Sequence, residues 1–168
     1  MGLTFIVGRA ADVFSGDLAL AVDEALHQRF AFGSNAEEKY ESEPVDASGW
    51  RALQARVHQV LDVAPHLTTV DAYQAVYLPA QVEHVEHVPI PNVADPLQVA
   101  SLASLLDELR RFAASASLPT DDVELMQLAA HYLESDDPDA DLDIQTFVQL
   151  LLSAKQASAR GQALWIVT

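Results

Sequence analysis

Closely spaced carboxylates are the side chains of this sequence best suited to chemistry. They fill the acidic segment 136–143, whose sequence is DDPDADLD. Asp137, Asp139 and Asp141 stand at alternate positions, and Asp143 continues the alternation. Carboxylate oxygens are the ligands that calcium prefers, so the first three of these aspartates are candidate metal ligands. The same acids can also keep a loop solvated, or cap the helix that follows it.

Over residues 137–148 the spacing resembles the calcium-binding loop of the EF-hand family. The four aspartates would occupy loop positions 1, 3, 5 and 7, and Ile144 would occupy the position that is usually apolar. The pattern departs from the family at Leu142, where the loop has a glycine for its sharp turn. It departs again at Val148, where a glutamate closes the site. The resemblance therefore implies a calcium loop without its closing ligand, and a solvated loop is the alternative.

A pair of histidines forms a second candidate metal site. His84 and His87 are three residues apart, and a glutamate precedes each of them. On a helix both imidazoles would lie on one face and could bind one zinc ion, with His66 or Asp71 as a candidate third ligand. The valines of AQVEHVEHV also recur every three residues, which favours helical turns. The alternative is a solvated polar face.

Catalytic motifs of high specificity are absent. The sequence has no GxSxG, GxGxxG, Walker or HExxH pattern. It also has no cysteine, which excludes disulfides, thiolate metal sites and cysteine nucleophiles. We therefore lean toward a protein that is not an enzyme and predict no cofactor, with zinc or calcium as the alternative.

The charge balance limits the choice of partner. The net charge is −16, from 25 acidic and 9 basic residues, with no basic stripe. Binding to nucleic acid or to an anionic membrane surface is therefore not expected. No apolar run approaches the roughly 18 residues of a membrane span, and the first residues do not resemble a secretory signal. These observations predict a soluble cytoplasmic protein.

The most acidic stretch predicts where a basic protein partner would bind. Residues 121–143 contain nine acids and no lysine or arginine. An acidic surface of this kind attracts basic proteins. The candidate partner-binding residues are Asp121, Asp122, Glu124, Asp136, Asp137, Asp139, Asp141 and Asp143.

Three function hypotheses follow. The first is a non-catalytic, immunity-type or regulatory protein that neutralises a basic partner. The second is a metal-dependent binding protein or hydrolase that uses His84 and His87, or the loop 137–143. The third is a structural subunit with an apolar patch near Phe30 and Phe32.

Apolar periodicity predicts the elements that position these residues. Strands are expected at 3–8 and 163–167, and helices at about 17–31, 48–64, 95–115, 121–134 and 143–159. Residues 72–90 fit either a helix or a strand. Within 121–134 the predicted core face consists of Val123, Met126, Ala130 and Leu133.

Together these elements predict an α+β, mainly helical fold. It would have about six helices and a small sheet that pairs the N- and C-terminal strands. We expect one domain over residues 1–168, with a polar surface loop at about 33–48 and the acidic loop at 136–143.

Overall fold

The fold alternates helices and strands along most of the chain. The computed structural model describes residues 2–33, 37–137 and 139–168. The strands are β1 (Gly2–Gly8), β2 (Tyr40–Glu41), β3 (Val45–Asp46), β4 (Ala75–Leu78), β5 (Glu86–Val88), β6 (Leu97–Ser101) and β7 (Ala163–Val167). The helices are α1 (Gly16–Arg29), α2 (Ala47–Val60), α3 (Pro65–Thr68), α4 (Leu102–Ala116), α5 (Asp122–Leu133) and α6 (Leu142–Arg160), with a short 3-10 turn at Ala10–Asp12.

A mixed sheet of seven strands organises the described residues. Its order is β2-β1-β7-β4-β6-β5, and β3 also pairs with β1. Strand β7 is antiparallel to both of its neighbours, β1 and β4. Strands β4 and β6 are parallel, and Leu78 lies opposite Ser101 at their carboxyl ends. Residues that follow these two strands are therefore brought to the same end of the sheet.

Two apolar cores cover the two faces of the sheet. Phe5 and Val7 of β1 point into the larger core, which also takes side chains from α2, α3, α4, α5 and α6. Ile6 points to the opposite face, where Val22 and Leu26 of α1 complete the smaller core. The alternation along β1 follows from the two-residue period of a strand. The result is three layers, with one helix on one side of the sheet and five on the other.

The predicted fold class, mainly helical with a small sheet, is wrong. The protein is α/β, with 50% helix, 17% strand and the seven-stranded mixed sheet. Strands β1 and β7 do pair, from Thr4 opposite Val167 to Gly8 opposite Ala163, but they lie inside this larger sheet. The prediction had assigned β6 to the start of a helix. All five residues of β6 are buried, so the strand shows no alternation that could have identified it.

Strands also occur in one stretch that the sequence left ambiguous and in one that it predicted as a surface loop. Residues 72–90 hold β4 and β5, so the strand alternative applies there and the helical turns predicted around the histidines are absent. The polar stretch 33–48 includes β2 and β3, and both pair with β1. Residues 34–36 of that stretch lie outside the described residues.

The long helices end in ways that their sequences explain. Ser101 caps α4 by accepting a hydrogen bond from the N–H of Ser104 at 3.1 Å. Gly161 ends α6 with a φ of 62°, a conformation that costs glycine little. Within the described ranges, none of the helices combines the length and the apolar composition needed to cross a bilayer.

Gly49 sets the close approach of α2 to α6, and we predict that Gly49→Ala destabilises the fold. A Cβ atom at this position would overlap Thr146 Oγ1 and would lie 2.8 Å from the carbonyl oxygen of Leu142. Overpacking costs about 1–3 kcal/mol, whereas alanine gains about 1 kcal/mol of helix propensity. The expected net loss in free energy of unfolding is up to about 2 kcal/mol, measured by urea denaturation. Gly33→Ala is the control, because among the described residues no atom outside its chain neighbours lies within 4 Å of its added Cβ. A stabilised Gly49→Ala variant would contradict this packing.

Candidate functional site

Helix α5 carries three of the acidic candidates at its start. The Asp121 carboxylate accepts hydrogen bonds from the N–H groups of Val123 and Glu124, at 3.1 and 3.2 Å. These bonds satisfy backbone donors that have no partner inside the helix. Asp122 and Glu124 place further negative charge in the first turn, where the helix dipole favours it. The acids at this end therefore help to form the helix and also make its surface negative.

Helix α5 has two apolar faces, and only one of them is buried. Leu125 is fully buried, while Leu128 and Ala129 are half-buried against the larger core. These residues lie toward α6, the helix against which α5 packs. The opposite face is an apolar stripe, which we call the α5 stripe; it consists of Val123, Met126, Ala130 and Leu133.

The α5 stripe is the face that the sequence predicted as core, and that prediction is wrong. The exposed fractions of Val123, Met126 and Leu133 are 63%, 63% and 64%. Ala130 is also exposed. Both apolar faces of α5 have helical periodicity, so the pattern alone could not decide which one is buried. The structure leaves four apolar positions of one helix in water, spaced i, i+3, i+7 and i+10.

A broad, open groove also runs along α5, and none of the four stripe residues lines it. It has a volume of about 720 Å³ and lies between α5 and the segment that joins α4 to it. Ser117 turns the chain out of α4 with a φ of 55°. Leu118 and Leu128 give the groove apolar walls, and Glu124 and His131 give it polar ones. One helix therefore carries both the apolar stripe and a groove with a carboxylate, and the two share no residue.

The predicted partner-binding acids fall into two groups. Some are held by other parts of the fold: Asp122 pairs with Lys155, and Asp143 pairs with Arg56 at 2.7 Å. Others, including Glu124 and Asp136, are exposed and form no ion pair with any described residue. The second group keeps its charge available to a partner.

The acidic loop does not bring its aspartates together. Asp143 lies in the first turn of α6 and is turned toward Arg56. Asp141 has a φ of 49° and accepts a hydrogen bond from the Tyr132 hydroxyl at 3.5 Å. Asp137 accepts one from the backbone N–H of Asp139 at 3.1 Å. Pro138 lies outside the described residues. Across 2–33, 37–137 and 139–168 no group of three or more potential ligands is placed to hold a metal ion.

The two candidate zinc histidines lie on extended backbone. His87 belongs to β5, opposite Gln98 of β6, and His84 lies in the segment before that strand. Both are exposed. His66, a candidate third ligand, is buried, and its Nδ1 accepts a hydrogen bond from the N–H of Ser101 at 3.0 Å. The helical face that was to align the pair is absent.

A buried polar cluster lies where β4 and β6 end, and sequence reasoning missed it. The Tyr77 hydroxyl donates to the carbonyl oxygen of His66 at 2.8 Å. The N–H of His66 donates to Glu108 Oε1 at 3.0 Å. Each of the four residues of this cluster is at most 4% exposed; they are His66, Tyr77, Ser101 and Glu108. The carboxyl ends of parallel strands often bind ligands, but here the polar groups bind one another.

The ionisation of this cluster follows from its burial. Desolvation lowers the pKa of His66, and its Nδ1 already accepts a hydrogen bond, so the ring stays neutral. Burial raises the pKa of Glu108 to about 7. Glu108 Oε2 has no hydrogen-bond partner among the described residues. The cluster joins α3, α4 and the sheet, and we assign it a structural role.

Comparisons with known proteins returned no match: no family model, no curated protein and no solved structure is similar to this chain. The function must therefore be argued from the geometry of the chain itself.

The apolar patch predicted near Phe30 and Phe32 is not free, since Phe30 is buried and Phe32 stacks on His27 with ring centres 4.1 Å apart.

Proposed function

We propose that this is a cytoplasmic, non-catalytic protein that binds a basic partner protein through α5. The role would be of the immunity or regulatory type, in which an acidic protein neutralises a basic one. The observation that carries the proposal is the α5 stripe, with three large apolar side chains more than 60% exposed on a helix with an acidic rim. The lack of cysteine is compatible with a reducing compartment.

Apolar exposure supports an interface on physical grounds. Single exposed apolar residues are common, but an exposed apolar patch surrounded by polar residues is typical of an interaction site. Here Val123 and Met126 share one face with Leu133, over three turns of one helix. Burying that face against a partner would release water from it at about 25 cal/mol for each Å² of apolar surface.

The negative charge around the stripe indicates that the partner's surface is positively charged. Residues 121–143 contain nine acids and no lysine or arginine, and the whole protein carries −16. A basic partner would approach faster and bind in a defined orientation, and both effects weaken as salt screens the charges. A second copy of the same surface would instead be repelled. The partner is therefore another protein rather than this chain.

A pull-down with the chain of residues 1–168 and two matched charge variants of it tests the proposal. The site variant Glu124→Gln/Glu134→Gln/Asp136→Asn and the control Asp17→Asn/Asp23→Asn/Glu24→Gln each remove three exposed acids. We expect wild type and control to retain a partner at about 0.05 M salt and release it at about 0.5 M. The site variant should lose at least tenfold in retained partner at the lower salt. Equal retention by both variants would show that the acids around α5 do not recognise the partner.

A further inference from the structure

The spacing of the α5 stripe limits the shape of the partner element that can bind to it. Its four residues recur at i, i+3, i+7 and i+10, so they form one straight ridge. Ten residues of helix extend about 15 Å, or about three turns. Acids stand at both ends of the ridge, with Asp121 and Glu124 at the start and Glu134 and Asp136 past the end.

We propose that the occupant of the α5 stripe is an amphipathic helix of the partner, with lysine or arginine beside its apolar side. This inference rests on the proposed function, and it adds the structural class of the element that is recognised. Helices recognise one another through apolar side chains at this same spacing, with charges beside the seam that select the partner.

An extended segment would fit this surface less well. A strand gains its affinity by pairing backbone groups with the edge of a sheet. Helix α5 offers no such edge, because its backbone donors and acceptors bond within the helix or to its caps, as the Asp121 side chain does at the first turn. Recognition on this face must therefore come from side chains, and a helix presents several of them on one side.

The groove on another side of α5 gives a reason for basic residues in the partner helix. Its walls place the apolar side chains of Leu118 and Leu128 near the Glu124 carboxylate. A lysine or arginine can lay its methylene chain on apolar walls and keep its charged end at a carboxylate. Glu124 forms no ion pair within the described part of the chain, so its charge is available.

Three synthetic peptides of about 18 residues test this inference against the full chain. The first is a helix with leucines at i, i+3, i+7 and i+10 and lysines on both flanks. The second has the same composition, with the leucines spread around the helix. The third keeps the leucine pattern and replaces each lysine with glutamate. Dissociation constants are measured by fluorescence anisotropy at about 0.1 M salt. We expect the first peptide to bind at least tenfold more tightly than either of the others.

Matched protein variants locate the binding. Met126→Asp/Leu133→Asp should weaken the first peptide at least tenfold, while its exposed positions leave the fold intact, as thermal melting will check. Leu20→Asp/Val63→Asp is the control, since these side chains are 69% and 65% exposed and neither lies on α5. It should leave binding unchanged, and equal weakening by both variants would overturn the inference.

The pattern of failure separates the inference from the proposed function. If the first two peptides bind alike and the third does not, charge alone is recognised; the helix inference falls and a basic partner remains. If the first and third peptides bind alike, charge is not recognised. The basic residues of the inferred helix and the basic partner of the proposed function then both fall. If none binds, neither the helix nor the interface stands.

Discussion

Between about pH 5 and about pH 9, the wild-type protein is expected to lose roughly 3 kcal/mol of folding stability that the Glu108→Gln variant does not lose. Glu108 is only 2% exposed, on α4, and caps α3 by accepting the N–H of His66 at 3.0 Å. Pro65 opens α3 without an N–H, and Ala64 before it has no side chain that could cap the helix. The carboxyl group therefore serves as a cap supplied from a distant helix.

The sign of the effect follows from the direction of the pKa shift. Burial raises the pKa of Glu108 from 4.5 to about 7, so the folded protein holds this proton more tightly than the unfolded chain. The stability that this group contributes is fully present below pH 4.5 and is lost as the pH rises through about 7. His66 has the opposite sign, because burial lowers its pKa, and its contribution is lost as the pH falls. Both proteins retain His66, so its effect cancels in their difference.

Urea denaturation across this pH range measures the difference in free energy of unfolding between Glu108→Gln and wild type. The difference should rise by roughly 3 kcal/mol in favour of glutamine as the pH increases. Asp95→Asn is the control, because it also removes one carboxylate, at an exposed position whose charge does not act on Glu108. It should not reproduce this rise. A flat Glu108→Gln difference would mean that the carboxyl group is not desolvated.

The sequence predicted helices where the end signals are local. Asp121 before an acidic first turn and Gly161 after an apolar run both mark real helix ends. Signals of this kind depend on a few neighbouring residues, so no knowledge of the fold is required. Strand β6 had no such signal. Val99 lies three residues before Leu102, so the helical period of α4 extends into the strand and hides it.

The sites were harder to predict because they depend on distant residues. Glu108 lies in the segment LLDELRRF, where it looks like a solvated helix residue, yet it is buried because His66 comes from 42 positions away. The acids of α5 were identified from composition alone, and the structure adds which of them are exposed and unpaired. The metal ligands proposed at His84 and His87 depended on a helix, whereas His87 lies in strand β5 and His84 in the segment before it.

Two adjacent residues decide whether α5 is oriented as the proposals require. We expect Leu125→Ala to lower the free energy of unfolding by about 2–4 kcal/mol, because Leu125 is fully buried and its loss leaves a cavity. We expect Met126→Ala to change it by less than about 0.5 kcal/mol, because Met126 is 63% exposed. The core face predicted from the sequence, which included Met126 and not Leu125, would give the opposite order.

Both variants shorten one apolar side chain to alanine at neighbouring positions, so helix propensity and net charge differ little between them. Urea denaturation gives the two free energies directly, and the slope with urea should stay constant if only stability has changed. Similar losses at the two positions, or a larger loss at Met126, would mean that the stripe belongs to the buried face of α5. The four residues of the α5 stripe would then belong to the core, and no apolar surface would remain there for a partner helix. The stability of two alanine variants therefore tests the geometry of the interface before any partner is known.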